Sequence, residues 1–306
     1  FPKIADSLRE NAQIENTMFD WENLRHFLAV GRAGTLSGAA RSLGVDHATV
    51  SRRLAALEAE LGLPLVERLP RACRLTAAGL EVFEQAKAME SASFAIARRS
   101  QARQVSLRGK VTLSASPVLA THFLAARMAD FHAAYPDIQL SVRSEAQQVS
   151  LSRGEADLAL RHVRPSEPNN IARRVGRIPF ALYAGRDYPA LAEPARWTFI
   201  AYDDRFADMP QQRWLLGNAG ERPVSCELGD ISSQLVAARA GAGVAGLPCF
   251  LGDAEPALVK LEPGGEPFEH AIWLVTHREL KRSATVRAVM DYLARAFADS
   301  EALRLP

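Results

Sequence analysis

Gly31-Arg-Ala-Gly-Thr-Leu-Ser-Gly-Ala-Ala-Arg-Ser-Leu-Gly-Val-Asp-His-Ala-Thr-Val-Ser-Arg-Arg-Leu54 reads as two short helices joined by a tight turn. Thr35 can cap the first, whose apolar face is Leu36, Ala39, Ala40 and Leu43. Gly44 suits the left-handed position that ends it. Asp46 can cap the second, which is expected to run to about Leu61 and stop at Gly62. Within it Val50, Leu54, Leu57 and Leu61 recur at helical spacing and should face a core. At about 100° per residue, His47, Ala48, Ser51 and Arg52 gather on a different face. A short polar face beginning at a helix N-terminus fits a DNA major groove, where Arg bridges a guanine edge and His or Ser meets other base edges.

The flanks point the same way. Asp20 to Val30 reads as a preceding helix with Leu24, Phe27, Leu28 and Val30 apolar. Leu65 to Thr76 contains Pro70 and lacks helical spacing, so a β-hairpin wing is expected, with Arg68, Arg71 and Arg74 exposed. Arginines beside a reading helix neutralise phosphates and set its register without reading sequence.

Leu24-Arg-His-Phe-Leu-Ala-Val30, Ser37-Gly-Ala-Ala-Arg-Ser-Leu43, Thr49-Val-Ser-Arg-Arg-Leu54, Leu57-Glu-Ala-Glu-Leu-Gly62 and Leu75-Thr-Ala-Ala-Gly79 occur in order. This run resembles the LysR-type transcriptional regulators. The resemblance implies that His47, Ala48, Ser51 and Arg52 contact bases, with Arg53 and the wing arginines near phosphates. Three positions depart from the family pattern: His47 for the commoner Gln, Ala48 for Pro or Ser, and Val66 for Phe. An imidazole cannot reproduce the bidentate grip of an amide on adenine.

The chain has 306 residues, enough for two or three domains with their own cores. Its net charge of +2 says little, since DNA binding needs local basic surface rather than a basic total. The cysteines Cys73, Cys226 and Cys249 are far apart and odd in number, without metal-ligand spacing, so reduced structural thiols are expected and no metal or cofactor. No apolar run approaches the ~18 residues of a membrane span, and Phe1 to Thr17 is polar and mixed in charge, unlike a secretory signal. A cytoplasmic protein is expected, with Met18 as natural start and residues 1–19 as an extension ahead of the first domain.

The expected fold class is α/β: a winged helix-turn-helix over 20–76, a long linker helix over 77–108, then a two-lobed domain over 109–306. The linker is Ala-, Glu- and Arg-rich without internal Pro, and Leu80, Phe83 and Met89 form a stripe suited to pairing with a second subunit. Further on, strands alternate with helices, which argues for largely parallel sheets. Pro117 is expected to open a helix running to about Ala134, and Phe180–Tyr183 and Ile272–Thr276 read as strands. The second half resembles the family's periplasmic-binding-protein-like effector domain through Phe131–Pro136, Gly154–Leu160 and Ala240–Pro248. The chain then crosses between lobes near Phe180 and Thr276, making lobe one 109–180 plus 277–306 and lobe two 181–276.

Ligands in such folds bind beyond strand C-termini. Ser116 at a strand-to-helix junction, Gln147 and Gln148 before a helix, Arg161 at a strand end, Asp203 and Asp204 after a strand, and Asp230 before a helix are the candidate effector contacts. Each equally suits a cap or loop. Gly241-Ala-Gly-Val-Ala-Gly246 spells a dinucleotide fingerprint but follows a helical stretch, so it reads as a helix stop and turn. No catalytic arrangement involves His162, His270 or His277.

These readings converge on a sequence-specific DNA-binding transcriptional regulator, a homodimer or homotetramer on a double-stranded operator, sensing a small anionic effector and able to contact RNA polymerase. Two alternatives stand beside it: a ligand-independent DNA-binding protein whose C-terminal part only assembles subunits, and an enzyme built on the α/β half.

Overall fold

A computed structural model describes residues 19–102, 106–145, 149–262 and 267–305, and the chain divides into two compact units after Ile96. The first begins with helices Trp21–Ala33, Leu36–Leu43 and His47–Leu61. Local chemistry sets both ends of each. Asp20, Thr35 and Asp46 accept from the backbone of Glu22, Gly38 and Thr49, and Gly34, Gly44 and Gly62 close the helices at φ 63°, 68° and 64°. Phe27, Val30, Ala39, Val50, Leu54 and Leu57 are fully buried between them.

Strands β1 (Val66–Leu69) and β2 (Ala72–Leu75) form the expected hairpin, pairing Val66 with Leu75. The Glu58 carboxylate accepts from the backbone N–H of Leu65 and Val66 at 2.8 and 3.1 Å, tying the hairpin to the third helix. The long helix spans Ala77–Ala102. At its start a Cβ on Gly79 would overlap the Leu65 carbonyl oxygen, so only glycine allows the helix this close to the hairpin.

Phe83, expected at a subunit interface, packs within its own unit. Its ring meets Phe27 edge-on at 6.2 Å between centroids, and a Cβ on Gly31 would lie 2.6 Å from it. The missing side chain of Gly31 makes the space that draws Phe83 inward. Leu80, Met89 and Ile96 remain 55%, 44% and 72% exposed.

The second unit is built on one nine-stranded sheet, ordered β4-β3-β5-β11-β6-β9-β7-β8, with β10 also on β6. These strands are β3 Gly109–Ala115, β4 Ile138–Ser144, β5 Leu158–Arg161, β6 Asn170–Gly185, β7 Phe199–Ala201, β8 Val224–Glu227, β9 Val244–Pro248, β10 Leu258–Leu261 and β11 Phe268–His277. The sheet is mixed rather than largely parallel. β3 runs parallel to β4 and β5, and β7 to β8 and β9, but every pairing of β6 and β11 is antiparallel. β6 starts ten residues before the expected Phe180, because β11 pairs with it from Asn170 onward.

Two sets of core residues define the lobes. Val175, Ile178, Ile272 and Leu274 belong to lobe one with Leu113, Leu158 and Phe297. Ala181 and Tyr183 belong to lobe two with Ile200, Ala245 and Leu247. On β6 the core membership therefore changes between Ile178 and Ala181. On β11, Ile272 and Leu274 belong to the lobe-one core, and the pairing with β6 shifts register between Ile272 and Trp273. The stretch after Pro117 is not one regular helix: a short α-turn, a π-turn over Ala120–Leu124 and a 3-10 turn precede the helix Met128–Ala134. Gly241 and Gly243, at φ 79° and 154°, turn the helix Ile231–Arg239 into β9, so the glycine-rich run is a turn into a strand.

Phe83→Ala should lower the stability of the first unit by about 2 kcal/mol and leave the sedimentation of the folded protein unchanged. Hydrogen exchange over residues 19–96 reads the first effect and analytical ultracentrifugation the second.

Candidate nucleic-acid interface and effector domain

The helix His47–Leu61 exposes His47, Ala48 and Arg52, with Ser51 half-buried beside them. Its first turn is internally braced. Thr49 gives its N–H to Asp46 at 2.7 Å and its hydroxyl to the same carboxylate at 2.9 Å, while Arg52 Nη2 donates to Thr49 Oγ1 at 3.2 Å. Hydrogen bonds from the Thr49 backbone and hydroxyl hold the Asp46 carboxyl below its ordinary pKa. Thr49 was not among the expected site residues. Its signal was its position three residues after an N-cap, where it can meet both the cap and Arg52.

The wing arginines Arg68, Arg71 and Arg74 are exposed, and Arg68 Nη1 donates to Ser51 Oγ at 3.4 Å. This bond brings the basic hairpin to the edge of the polar helix face. Arg53, expected beside a phosphate, is exposed and makes contacts within the unit. It pairs with Asp20 at 3.0 Å and donates to Asn23 Oδ1 at 3.2 Å, joining the first and third helices. The expected apolar stripe and polar face thus lie on one helix.

In the second unit the candidate effector residues are dispersed. Asp203 accepts from the Arg205 backbone and pairs with its guanidinium at 2.7 Å; Asp204 is exposed at the start of that turn. Asp230 caps the helix Ile231–Arg239, accepting from the Ser233 N–H and hydroxyl. Asp203 and Asp230 each hold the N–H donors that follow them in sequence, the local capping such carboxylates favour. Gln147 and Gln148 lie outside the described residues. Ser116 has a buried Oγ with no hydrogen-bond partner among the described residues. Arg161 is half-buried and lines a cavity with Glu167 and Asn170, a cavity whose described lining does not include Ser116.

The junction of the lobes carries a group the sequence did not single out. His162 and His270 lie with ring centroids 5.0 Å apart, and Phe180 and Phe268 meet His270 edge-on at 5.5 and 4.9 Å. Trp214 stacks on Phe268 at 5.5 Å. His270 Nε2 lies 2.9 Å from Gln211 Oε1, an acceptor, which fixes the Nε2–H tautomer of the neutral ring. A second link between the lobes joins His122 Nε2 and Ser232 Oγ at 2.9 Å. Burial pushes both junction imidazoles down to about 4, with the charges of His270 and Arg161 adding to the effect on His162. His162 and His270 are 108 positions apart in sequence, and no local motif joins them.

Two family patterns cover this architecture. Residues 21–80 match the bacterial regulatory helix-turn-helix protein of the lysR family, and residues 104–298 match the LysR substrate binding domain. The chain belongs to the LysR family of transcriptional regulators. It is 28% identical to the Mau operon transcriptional activator of Paracoccus denitrificans, over 92% of this chain and 98% of that one. It is 32% identical to the AhcY transcriptional activator HvrB of Rhodobacter capsulatus, over 72% and 77%. Full-length OxyR from Pseudomonas aeruginosa shares the fold at a TM-score of 0.59 and 17% identity, covering 94% of this chain and 100% of that one. LysR-family proteins regulate transcription through a helix-turn-helix DNA-binding domain and an effector-binding domain, and both are present here. Among the described residues no group of His, Cys, Asp or Glu could hold a metal ion, and no helix is long and apolar enough to cross a membrane.

The junction histidines carry a pH signature. Their folded pKa values lie below the ordinary 6.5, so between those values the unfolded chain binds protons that the folded chain does not. Their contribution is complete above about pH 6.5 and is lost as pH falls toward 4. The melting temperature of the wild-type protein should drop across this window, and His270→Gln should flatten the slope by several degrees, on the order of 4–8 °C at the acid end. Calorimetry from pH 7 to pH 4 measures it; parallel curves for the two proteins contradict the assignment.

Proposed function

We propose that this protein binds double-stranded DNA at a specific operator as an oligomer, and that a small organic effector carrying an anionic group, held by residues 109–305, alters that binding. The bond from Arg68 to Ser51 carries the DNA reading: it sets the exposed wing arginines against the exposed polar face of the helix His47–Leu61. His47, Ala48, Ser51 and Arg52 read base edges, while Arg68, Arg71 and Arg74 meet phosphates and fix the register. The bracing of Arg52 by Thr49 and Asp46 supports this role, because a preorganised guanidinium loses less freedom on binding.

Assembly runs through the helix Ala77–Ala102. Exposed Leu80, Met89 and Ile96 support this, as does an apolar groove of about 570 Å³ that Met89 shares with Leu24, Leu61 and Val82. Ser116 contributes to sensing; its buried, unpartnered hydroxyl supports a ligand contact. The effector must bind one arrangement of the lobes or subunits better than another, and the altered spacing of reading heads then changes DNA bending or contact with RNA polymerase.

Arg52→Ala should cost about 1–3 kcal/mol on the operator and much less on random DNA. Arg71→Ala or Arg74→Ala should weaken all sequences alike and reduce the salt slope of binding by about one unit. Fluorescence anisotropy on operator and scrambled duplexes, across salt, separates the two. Equal loss on both duplexes for Arg52→Ala removes it from base reading.

Met89→Glu places a charge in the proposed subunit contact and should shift the protein toward monomer, with operator affinity falling because two heads no longer share one site. Sedimentation velocity checks the first effect; an unchanged oligomer overturns the assignment of this face.

A further inference from the structure

The lobe-one cavity beside Arg161 has a volume of about 190 Å³. That is below the ~300–1,000 Å³ of pockets for drug-sized ligands, so it suits a small metabolite. Its apolar lining includes Val149, Leu151, Val163 and Val275, and its polar lining includes Arg161, Arg164, Glu167 and Asn170.

The polar groups divide into two halves. Arg161 donates from Nη1 to Ser114 Oγ at 3.2 Å and to the Leu160 carbonyl at 3.3 Å, and from Nη2 to the Val149 carbonyl at 3.3 Å. All three acceptors are neutral; the carboxylates of Glu145 and Glu167 act on this half-buried cation electrostatically, but among the described residues neither makes a direct ion pair with it. A guanidinium carries five N–H donors, so donors remain. Arg164, exposed at the rim, lies over the Trp273 ring at 5.6 Å and adds a second positive charge. This half calls for a carboxylate.

The other half calls for a donor. Asn170 Nδ2 donates to Glu167 Oε2 at 2.8 Å. A carboxylate only accepts, so the amide orientation is fixed and Oδ1 faces away from Glu167. Asn170 Oδ1 is buried and has no partner among the described residues. A buried acceptor left unpaired is unfavourable, and together with the Glu167 carboxylate it offers an ammonium two acceptors. A simple anion would satisfy the arginines but meet the charge of Glu167. A simple amine would satisfy Glu167 but meet two arginines.

We propose that this cavity binds a small zwitterion with the chemistry of an aliphatic α-amino acid: its carboxylate on Arg161 and Arg164, its ammonium on Glu167 and Asn170 Oδ1, and its side chain against Val149, Leu151 and Val275. The assignment rests on reading residues 109–305 as the sensing domain, and it adds the location and class of the effector.

Isothermal titration of the full chain with L-alanine, L-valine and L-leucine tests it, with isovalerate and isobutylamine as the two halves of valine. At least one amino acid should bind saturably, and each half-molecule should bind at least about ten-fold more weakly. Glu167→Gln keeps an acceptor for Asn170 Nδ2 and so the local fold; it should weaken the amino acid by about ten-fold or more with an unchanged melting temperature. Arg161→Lys should weaken it too, since an ammonium cannot reproduce the planar fork. Absence of binding by all three amino acids at about 10 mM overturns the proposal. So does isovalerate binding as tightly as valine, which marks a plain anion site, or an undiminished affinity in Glu167→Gln. Amino-acid binding that leaves operator affinity unchanged supports the site and overturns the sensing role of the domain instead.

Discussion

The antiparallel pairing of β6 with β11 is the constraint on which the second unit depends. The two strands run side by side from Phe180 and Phe268 to Asn170 and His277, and β6 serves two cores in turn. On β6, Val175 and Ile178 belong to one lobe and Ala181 and Tyr183 to the other, within a single strand. Two lobes hung on one continuous pair can reorient only by bending or twisting that pair, which makes the residues packed at the crossing the natural determinants of lobe geometry. There the junction histidines stay neutral, and His270 is fastened to Gln211 of lobe two.

The same pair organises the two faces of lobe one. Leu158, Leu160, Ile272 and Leu274 point into the main core, whereas the alternate residues Ala159 and Val275 face a second, smaller cluster with Leu151 and Ala156. The zwitterion-sized cavity lies on this thinner side. Its polar groups come from the end of β5 and the loop leading into β6, so occupancy acts beside the strands that connect the lobes. A ligand bound there biases the lobes to the extent that its affinity differs between their arrangements.

The helical head follows another logic. Each helix is bounded by a side-chain cap at one end and a left-handed glycine at the other, so its limits are set locally before any packing. The reading face then inherits its order from the cap: Asp46 holds Thr49, and Thr49 holds Arg52. Stability and readout share the same first turn.

This difference decides what was legible in the chain itself. The caps Thr35 and Asp46, the glycines Gly44 and Gly62, the apolar spacing of Val50, Leu54 and Leu57, and the hairpin after Leu65 are all written within a few residues of where they act, and an ordered run of short motifs named the family. The turn at Gly241–Gly243 was legible for the same reason, through its order after a helix. Tertiary structure decided the rest. Phe83 turns inward because Gly31, 52 positions earlier, leaves room for its ring. Arg53 is taken up by Asp20 and Asn23 across a helix pair. β6 begins at Asn170 because β11, a hundred residues on, supplies its partner. The junction box and the cavity beside Arg161 likewise join side chains whose proximity no spacing encodes. Capping and periodicity are local interactions that a sequence displays directly; which distant side chain fills a gap or completes a strand is determined only when the whole chain packs.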